Sequence, residues 1–437
     1  MLDKENAAAR KGVFMIDASK GFIKDGNKNR LREQDIHKIV DIFNKQTMTP
    51  RYARMVPVEE ISDPKNDYNL NLPRYIDSTS PEDLQDIDGH LRGGIPSRDI
   101  DELAAFWQVI PGVRTTLFAA ADRPGYVRLQ LPIAEVKPAI FSHPEFTAFN
   151  DGASRLFAQW KNVNIPLLKG FAKDGHPKAL IATIAEDLLA TFREAPLLDA
   201  YDLYQHLMDC WAETMQDDCY LIAADGWVAR TARILEADKK GKTKDKGWAC
   251  DLVPKPLIVA RYFPGEQGEI DKLQAELDAA TASMAELAEE HGGEEGYLGA
   301  LDKINKAEVA ARYKEVGGDK EAKDEAAVLE EWLHRNCEEA DCKKAIKEAE
   351  AVLDRMAYGK YPTLSEDEIK TLVVDDKWLA VLAAAVQGEL DRVSQTLTGR
   401  IRQLAERYET PLPQLVDEVA LLAAKVDGHL RKIGFKR

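Results

Sequence analysis

Asn71-Leu72-Pro73-Arg74-Tyr75, within the stretch NDYNLNLPRYID (Asn66 to Asp77), gathers an asparagine, a proline and an aromatic residue in five positions. An asparagine amide beside a proline-stiffened backbone accepts hydrogen bonds from an exocyclic amino group, and a neighbouring ring stacks on a base swung out of a duplex. Such a grip needs two adjacent prolines between amide and ring. Here Leu72 and Arg74 flank the single Pro73, so the ingredients are present without the closure around a base.

Other constellations carry less chemistry. Cys337 and Cys342 are spaced C-x4-C on an Ala/Glu-rich tract with no second pair, which reads as helix surface rather than a zinc site. The eight histidines (His37, His90, His143, His176, His206, His291, His334, His429) show neither H-x3-H nor HExxH spacing. Asp202, Asp209, Asp217 and Asp218 lie among aromatics without evident basic partners and read as a solvated helix face. There is no GxxxxGK[ST] phosphate loop and no GxSxG elbow. The glycine pairs at 93–94, 292–293 and 317–318 do not follow a predicted strand, as a nucleotide-binding turn must. No catalytic residue, cofactor-binding residue or metal ligand is therefore predicted.

The elements that position these residues follow from length, charge and periodicity. At 437 residues, 45% apolar and 31% charged, the chain is long enough for two or three domains with cores of their own. No apolar run nears eighteen residues, and MLDKENAAARKG lacks an apolar h-region, so neither a membrane span nor a secretory leader is expected. Five scattered cysteines suit a reducing, cytoplasmic location. The net charge of -16 argues against a chain that coats nucleic acid non-specifically. Its distribution is uneven: residues 1–56 carry 12 Lys/Arg against 7 Asp/Glu, and residues 263–437 carry 24 against 37. The basic end suits phosphate; the acidic end suits protein or water.

Gly12-Val13-Phe14-Met15-Ile16-Asp17 has the pattern of a buried strand, Asp25-Gly26-Asn27 of a turn, and Ile36, Ile39, Val40 and Phe43 define one apolar face of a helix that ends before Pro50. Nothing upstream supplies neighbours for such a strand, so the chain is expected to begin partway through a domain. Ser80-Pro81-Glu82-Asp83 predicts a capped helix start. Gly93-Gly94 predicts a break, and helices are predicted over 99–109, 181–193 and 199–214. Cys219 to Ala224 is read as a strand in preference to a buried helix end.

The last 175 residues differ in kind. Ile270, Leu273, Leu277, Ala280, Met284 and Leu287 form a heptad seam ended by Gly292-Gly293, and Ser365-Glu-Asp-Glu368 is a capping box. Leu379, Leu382, Val386, Leu390, Val393, Leu397, Ile401, Leu404 and Tyr408 then repeat a 3-4-4 spacing three times. That eleven-residue period keeps one apolar stripe nearly straight along roughly 45 Å of helix. Pro411 and Pro413 end it, and Leu415, Val419, Leu422, Val426, Leu430 and Ile433 begin a second stripe, predicted to fold back as an antiparallel pair. The stripes either satisfy each other in one bundle or leave a face for helices of another subunit.

The blocks KGVFMIDASKGF, NKNRLREQDIHKIVDIF and NDYNLNLPRYID, in this order over about residues 8–77, resemble the segment that follows the catalytic motifs in modification (M) subunits of type I restriction-modification systems. DIDGHLRGGIPSRDID, DDCYLIAADGW, KYPTLSEDEIKTLVVDDKW and LTGRIRQLAERYETPLPQLVDEV resemble the C-terminal extension of some of these subunits. The resemblance implies an N6-adenine DNA methyltransferase polypeptide that uses S-adenosylmethionine, joins a specificity (S) subunit and double-stranded DNA, and for cleavage a restriction (R) subunit. The family's cofactor turn and Asn-Pro-Pro-aromatic loop lie upstream of the VFMIDAS strand, so none of its catalytic residues transfers to a position here. No cofactor is expected to bind this chain alone, and an upstream-encoded catalytic half is a possible partner.

The resulting expectation is an α+β, mainly α chain in three consecutive parts. Residues 1–78 are a remnant of a Rossmann-like methyltransferase sheet (strand, loop, helix), 79–262 a mainly helical middle domain, and 263–437 long, coiled-coil-like helical arms for assembly. Lys20, Lys28, Arg30, Arg32, Arg74 and Tyr75, with Lys24 in the same loop, are candidate DNA contacts. Leu379, Leu382, Val386, Leu390, Val393, Leu397, Ile401 and Leu404 are candidate subunit-interface residues. The competing readings are a homodimerising helical scaffold without a DNA role and a methyltransferase with an unconventional cofactor site.

Overall fold

The computed structural model describes residues 10–79, 83–237, 243–293, 296–319 and 321–433. The helix start predicted at Ser80-Pro81-Glu82 lies outside the described residues. The chain is mainly helical, with four small antiparallel sheets among the described residues.

It opens with strands β1 (Gly12–Ile16), β2 (Ile23–Asp25) and β3 (Lys28–Arg30), helix α1 (Glu33–Lys45), strand β4 (Ala53–Pro57) and a one-turn helix α2 (Val58–Ile61). A series of short elements follows: α3 (Ile87–Arg92), β5 (Ile95–Pro96), α4 (Ser97–Asp101), α5 (Ala104–Val109), α6 (Pro111–Leu117), β6 (Phe118–Ala120) and β7 (Tyr126–Leu129). Longer helices then take over: α7 (Ile133–Ser142), α8 (Pro144–Gly170), α9 (Pro177–Phe192), α10 (Ala200–Cys210) and α11 (Gln216–Asp225). The hairpin β8 (Ala232–Ala237) and β9 (Thr243–Ala249) precedes α12 (Lys255–Tyr262), α13 (Pro264–His291), α14 (Lys306–Val316), α15 (Lys323–Lys360) and α16 (Glu366–Lys370). The chain closes with α17 (Ala380–Tyr408) and α18 (Leu412–Lys432).

These elements form two compact units. One draws on residues 10–171, 176–219 and 378–433, the other on 172–175 and 220–377. The units are assembled from non-consecutive segments, whereas the expectation from sequence is three consecutive parts bounded at 78 and 262. In the first unit α17 is the central helix. Its stripe from Leu382 to Tyr408 is buried against α3, α7, α8, α10 and β5.

In the second unit α13 lies along α15, and Leu298, Val309, Val316, Leu329 and Trp332 form a core with Met284 and Leu287 of the heptad seam packed on it. The Ser365 box forms as predicted, with Ser365 N donating to Glu368 Oε2 (2.8 Å) and Glu368 N to Ser365 Oγ (3.3 Å).

Three local expectations are corrected. Cys219 to Ala224 is part of helix α11, not a strand; Cys219 and Ile222 are buried while Tyr220 and Leu221 between them are exposed, which is a helical period hidden in a short apolar run. The 99–109 helix is broken into α4 and α5. The stripes of α17 and α18 do not cover each other: the first is buried by other helices, and Leu415, Val419, Leu422 and Val426 of the second are exposed.

Candidate nucleic-acid and assembly surfaces

The N-terminal module is organised by Met15, Val56, Ile61, Tyr75 and Ile76, which cluster where β1 pairs antiparallel with β4, Ile16 opposite Ala53. A two-stranded sheet is marginal without further ties. Asp17, at the end of β1, supplies one. Its Oδ1 accepts from Ser19 N (3.0 Å) and its Oδ2 from Ser78 Oγ (2.6 Å), so the strand is fastened to the segment that follows the Asn66–Asp77 loop. The Ser78 and Ser19 hydrogen bonds hold the Asp17 carboxyl below the usual carboxylate range.

The loop itself is closed inward. Asn66 Nδ2 donates to Glu60 O (2.8 Å), Asn71 N to Asn69 Oδ1 (2.9 Å), and Arg74 Nη1 to Lys65 O (3.1 Å). Asp67 and Tyr68 adopt left-handed backbone, and Leu72–Arg74 form a 3-10 turn around Pro73. Tyr75 is buried, with its hydroxyl donating to Asn69 O (2.6 Å). The ring that sequence reading placed at a surface is thus a core residue, and Arg74 alone of that pair is exposed. Beside it, Met48, Pro50, Arg51, Arg54 and Asp77 line an open cavity of about 400 Å³. Arg51 and Arg54 were foreshadowed only by the basic excess of residues 1–56.

Lys20, Lys24, Lys28 and Arg30 are exposed on and beside the β2–β3 hairpin, whose turn uses Gly26 at φ +60°. Arg32 has a different task. Its Nε and Nη2 donate to Asp35 at 2.9 and 3.0 Å while Arg32 N donates to Asp35 Oδ2 (2.9 Å), closing the first turn of α1.

Helix α1 is turned the opposite way from its predicted packing. Its polar Gln34 and Asp35 are buried, and Ile36, Val40 and Phe43 of the predicted core face are exposed. Gln34 N donates to Gln205 Oε1 (3.0 Å) and Gln34 Nε2 to Asp202 Oδ1 (2.9 Å), while Tyr201 Oη donates to Asp41 (2.8 Å), so α10 takes the polar side. Two of the aspartates read as solvated, Asp202 and Asp218, therefore have partners. Asp202 also accepts from Arg392 (3.1 Å), and Asp218, which is buried, accepts from Trp378 Nε1 (2.7 Å).

Leu379, Leu382, Val386, Leu390, Val393, Leu397, Ile401 and Leu404 are all buried within the chain, none more than 6% exposed. The open apolar row is on α18 instead, with Val419 at 65% and Leu422 at 57%. Among the described residues no helix is long and apolar enough to cross a membrane, and no group of three or more His, Cys, Asp or Glu side chains is placed to hold a metal ion.

Comparison with known proteins bears on the first of these regions. The N-6 DNA Methylase family matches residues 1–83. The type I restriction enzyme MpnII methylase subunit of Mycoplasma pneumoniae is 31% identical over 84 residues, 19% of this chain and 15% of that protein. The MjaVII and MjaVIII type I methylase subunits of Methanocaldococcus jannaschii are 39% and 36% identical over 92 and 93 residues, each 20% of this chain and 15% of the relative. The chain thus covers less than a sixth of the length of these relatives. No solved structure matches it. Over this N-terminal fifth, the chain is similar to methylase subunits of type I restriction enzymes.

Proposed function

We propose that this chain serves in a type I N6-adenine DNA methyltransferase, contributing the closing segment of the catalytic domain together with a helical region for assembly with the specificity subunit. The observation that carries this reading is the coincidence of the methylase-like segment with an open apolar face. Ile36, Val40 and Phe43 of α1 are exposed in the same stretch that matches the relatives. A helix of a methyltransferase sheet buries that stripe against its neighbours, so the stripe is the seat of the part of the domain that carries the S-adenosylmethionine and adenine sites.

Lys20, Lys28, Arg30 and Arg74 then lie on the DNA side of the completed domain, and the α18 row receives helices of the specificity subunit. The restriction subunit joins the assembled complex for cleavage. The test is transfer of labelled methyl groups from S-adenosylmethionine to DNA by this chain together with the specificity subunit and a polypeptide bearing the cofactor and adenine sites. Ile36→Asp/Val40→Asp/Phe43→Asp is expected to lose methylation and co-purification with that polypeptide while this chain's own unfolding transition is retained. Full activity of the triple variant would overturn the assignment.

A further inference from the structure

The β8–β9 hairpin of the second unit has a firmly held base and an unoccupied outer part. At the base, Trp248 sits edge-on to Tyr358 and Tyr361, with ring centroids 5.3 and 5.2 Å away, and its Nε1 donates to Asp354 Oδ2 (3.1 Å). Asp354 is also the partner of Lys255, and Tyr361 Oη donates to Val253 O (2.7 Å). Arg233, which pairs with Trp248 across the ribbon, lies over the Tyr358 ring at 5.8 Å. Away from this anchor every described side chain is exposed, Ile234 and Leu235 included. A two-stranded ribbon with both faces in water is marginal by itself.

Its charge indicates what covers it. In a chain of net charge -16, the described residues of 230–249 carry Arg230, Arg233, Lys244 and Lys246 against Glu236 and Asp245. Strand alternation and the Lys246–Glu236 pair (3.0 Å) put Lys244, Lys246 and Glu236 on one face, opposite the face of Leu235 and Asp245. A major groove about 12 Å wide admits a two-stranded ribbon with lysines reaching the flanking phosphates. We infer that the β8–β9 ribbon is a second DNA-contacting element, seated on duplex DNA through Lys244 and Lys246 and separate from the β2–β3 hairpin. The inference rests on the proposed role in DNA methylation for its choice of polyanion.

The experiment is fluorescence anisotropy of the full chain with a labelled 30-base-pair duplex across a series of salt concentrations. Lys244→Gln/Lys246→Gln is expected to weaken binding about tenfold and to lower the slope of log K against log salt by about 2, one per lost phosphate contact. Glu236→Gln, which removes an opposing charge, is expected to tighten binding, a gain that a misfolded variant would not give. Unchanged affinity and slope in the double lysine variant overturn the inference, as does a ribbon that binds an acidic protein surface in place of DNA. Lys28→Gln/Arg30→Gln, measured alongside, reads the first hairpin alone: weakening there with none in the ribbon variant sinks the ribbon and leaves the proposed function standing. Weakening only in the ribbon variant does the reverse for the first hairpin.

Discussion

Arg407 grips Asp83 through both carboxylate oxygens, with Nη1 3.0 Å from Oδ1 and Nη2 on Oδ2. Arg400, two turns earlier on α17, holds the same carboxylate at 2.9 and 3.1 Å. The segment leading into α3 is thereby clamped to the central helix of its unit.

The clamp sets a pH dependence. Arg407 and then Arg400 hold the Asp83 carboxyl well below the usual carboxylate range. A depressed folded value contributes stability that is present above the unfolded value of about 3.9 and is lost as pH falls through the folded one. Asp83→Asn is therefore expected to lower stability at pH 7 by about 1 kcal/mol, the scale of a partly exposed pair. The gap to the parent chain should narrow with acidification below about pH 4. Urea midpoints at pH 7, 4 and 3 read this directly, and a gap that widens in acid contradicts it.

Gly89 and Tyr408 fix how α3 sits on α17. A Cβ on Gly89 would come 2.9 Å from the Tyr408 ring, so Gly89→Ala forces one element to move, at a cost of about 1–3 kcal/mol. The Tyr408 hydroxyl accepts from Asp86 N (3.1 Å) and donates to the buried Asp99 (3.3 Å). Tyr408→Phe leaves both groups short of a partner and is expected to cost about 1–2 kcal/mol in chemical denaturation.

The two C-terminal stripes should separate stability from assembly. Leu397→Ala, at a position 1% exposed, empties core volume on α17 and is expected to cost about 2–5 kcal/mol. Val419→Asp/Leu422→Asp on α18 should change stability by no more than about 0.5 kcal/mol, because both sites already face water. The same pair should abolish co-purification with the specificity subunit; retention of that complex would remove α18 as the docking face.

Thiol reactivity offers a check on burial. Cys210, Cys219 and Cys250 are buried, and burial pushes the Cys219 thiol up to about 12. Cys337 is exposed on α15 and Cys342 partly so. Alkylation of the native chain at pH 8, read by mass spectrometry, should modify Cys337 first and leave the three buried thiols until denaturant is added.

Much of the secondary structure is legible in the residue order. The strand, turn and helix of residues 12–45 sit where the change of period from apolar run to 3.6-residue stripe puts them, and the Ser365 cap and the α17 stripe follow from local pattern. Helix α11 was misread because six apolar residues are too few to separate a strand from a buried helix. The partners of Asp202 and Asp218 are Arg392 and Trp378, more than 150 positions away, beyond the reach of spacing arguments.

By itself, the order of residues determined which faces are apolar, where prolines and caps interrupt the helices, and the kinship of the first fifth of the chain, since these depend on neighbours within a few turns. Only the tertiary structure decided which faces are covered. It buries the α17 stripe inside its own unit, leaves those of α1 and α18 open, and turns Tyr75 from a candidate DNA contact into part of a core. The physical reason is that an apolar stripe gains the same free energy from any complementary surface. Periodicity therefore states that a face must be covered, and only packing names what covers it.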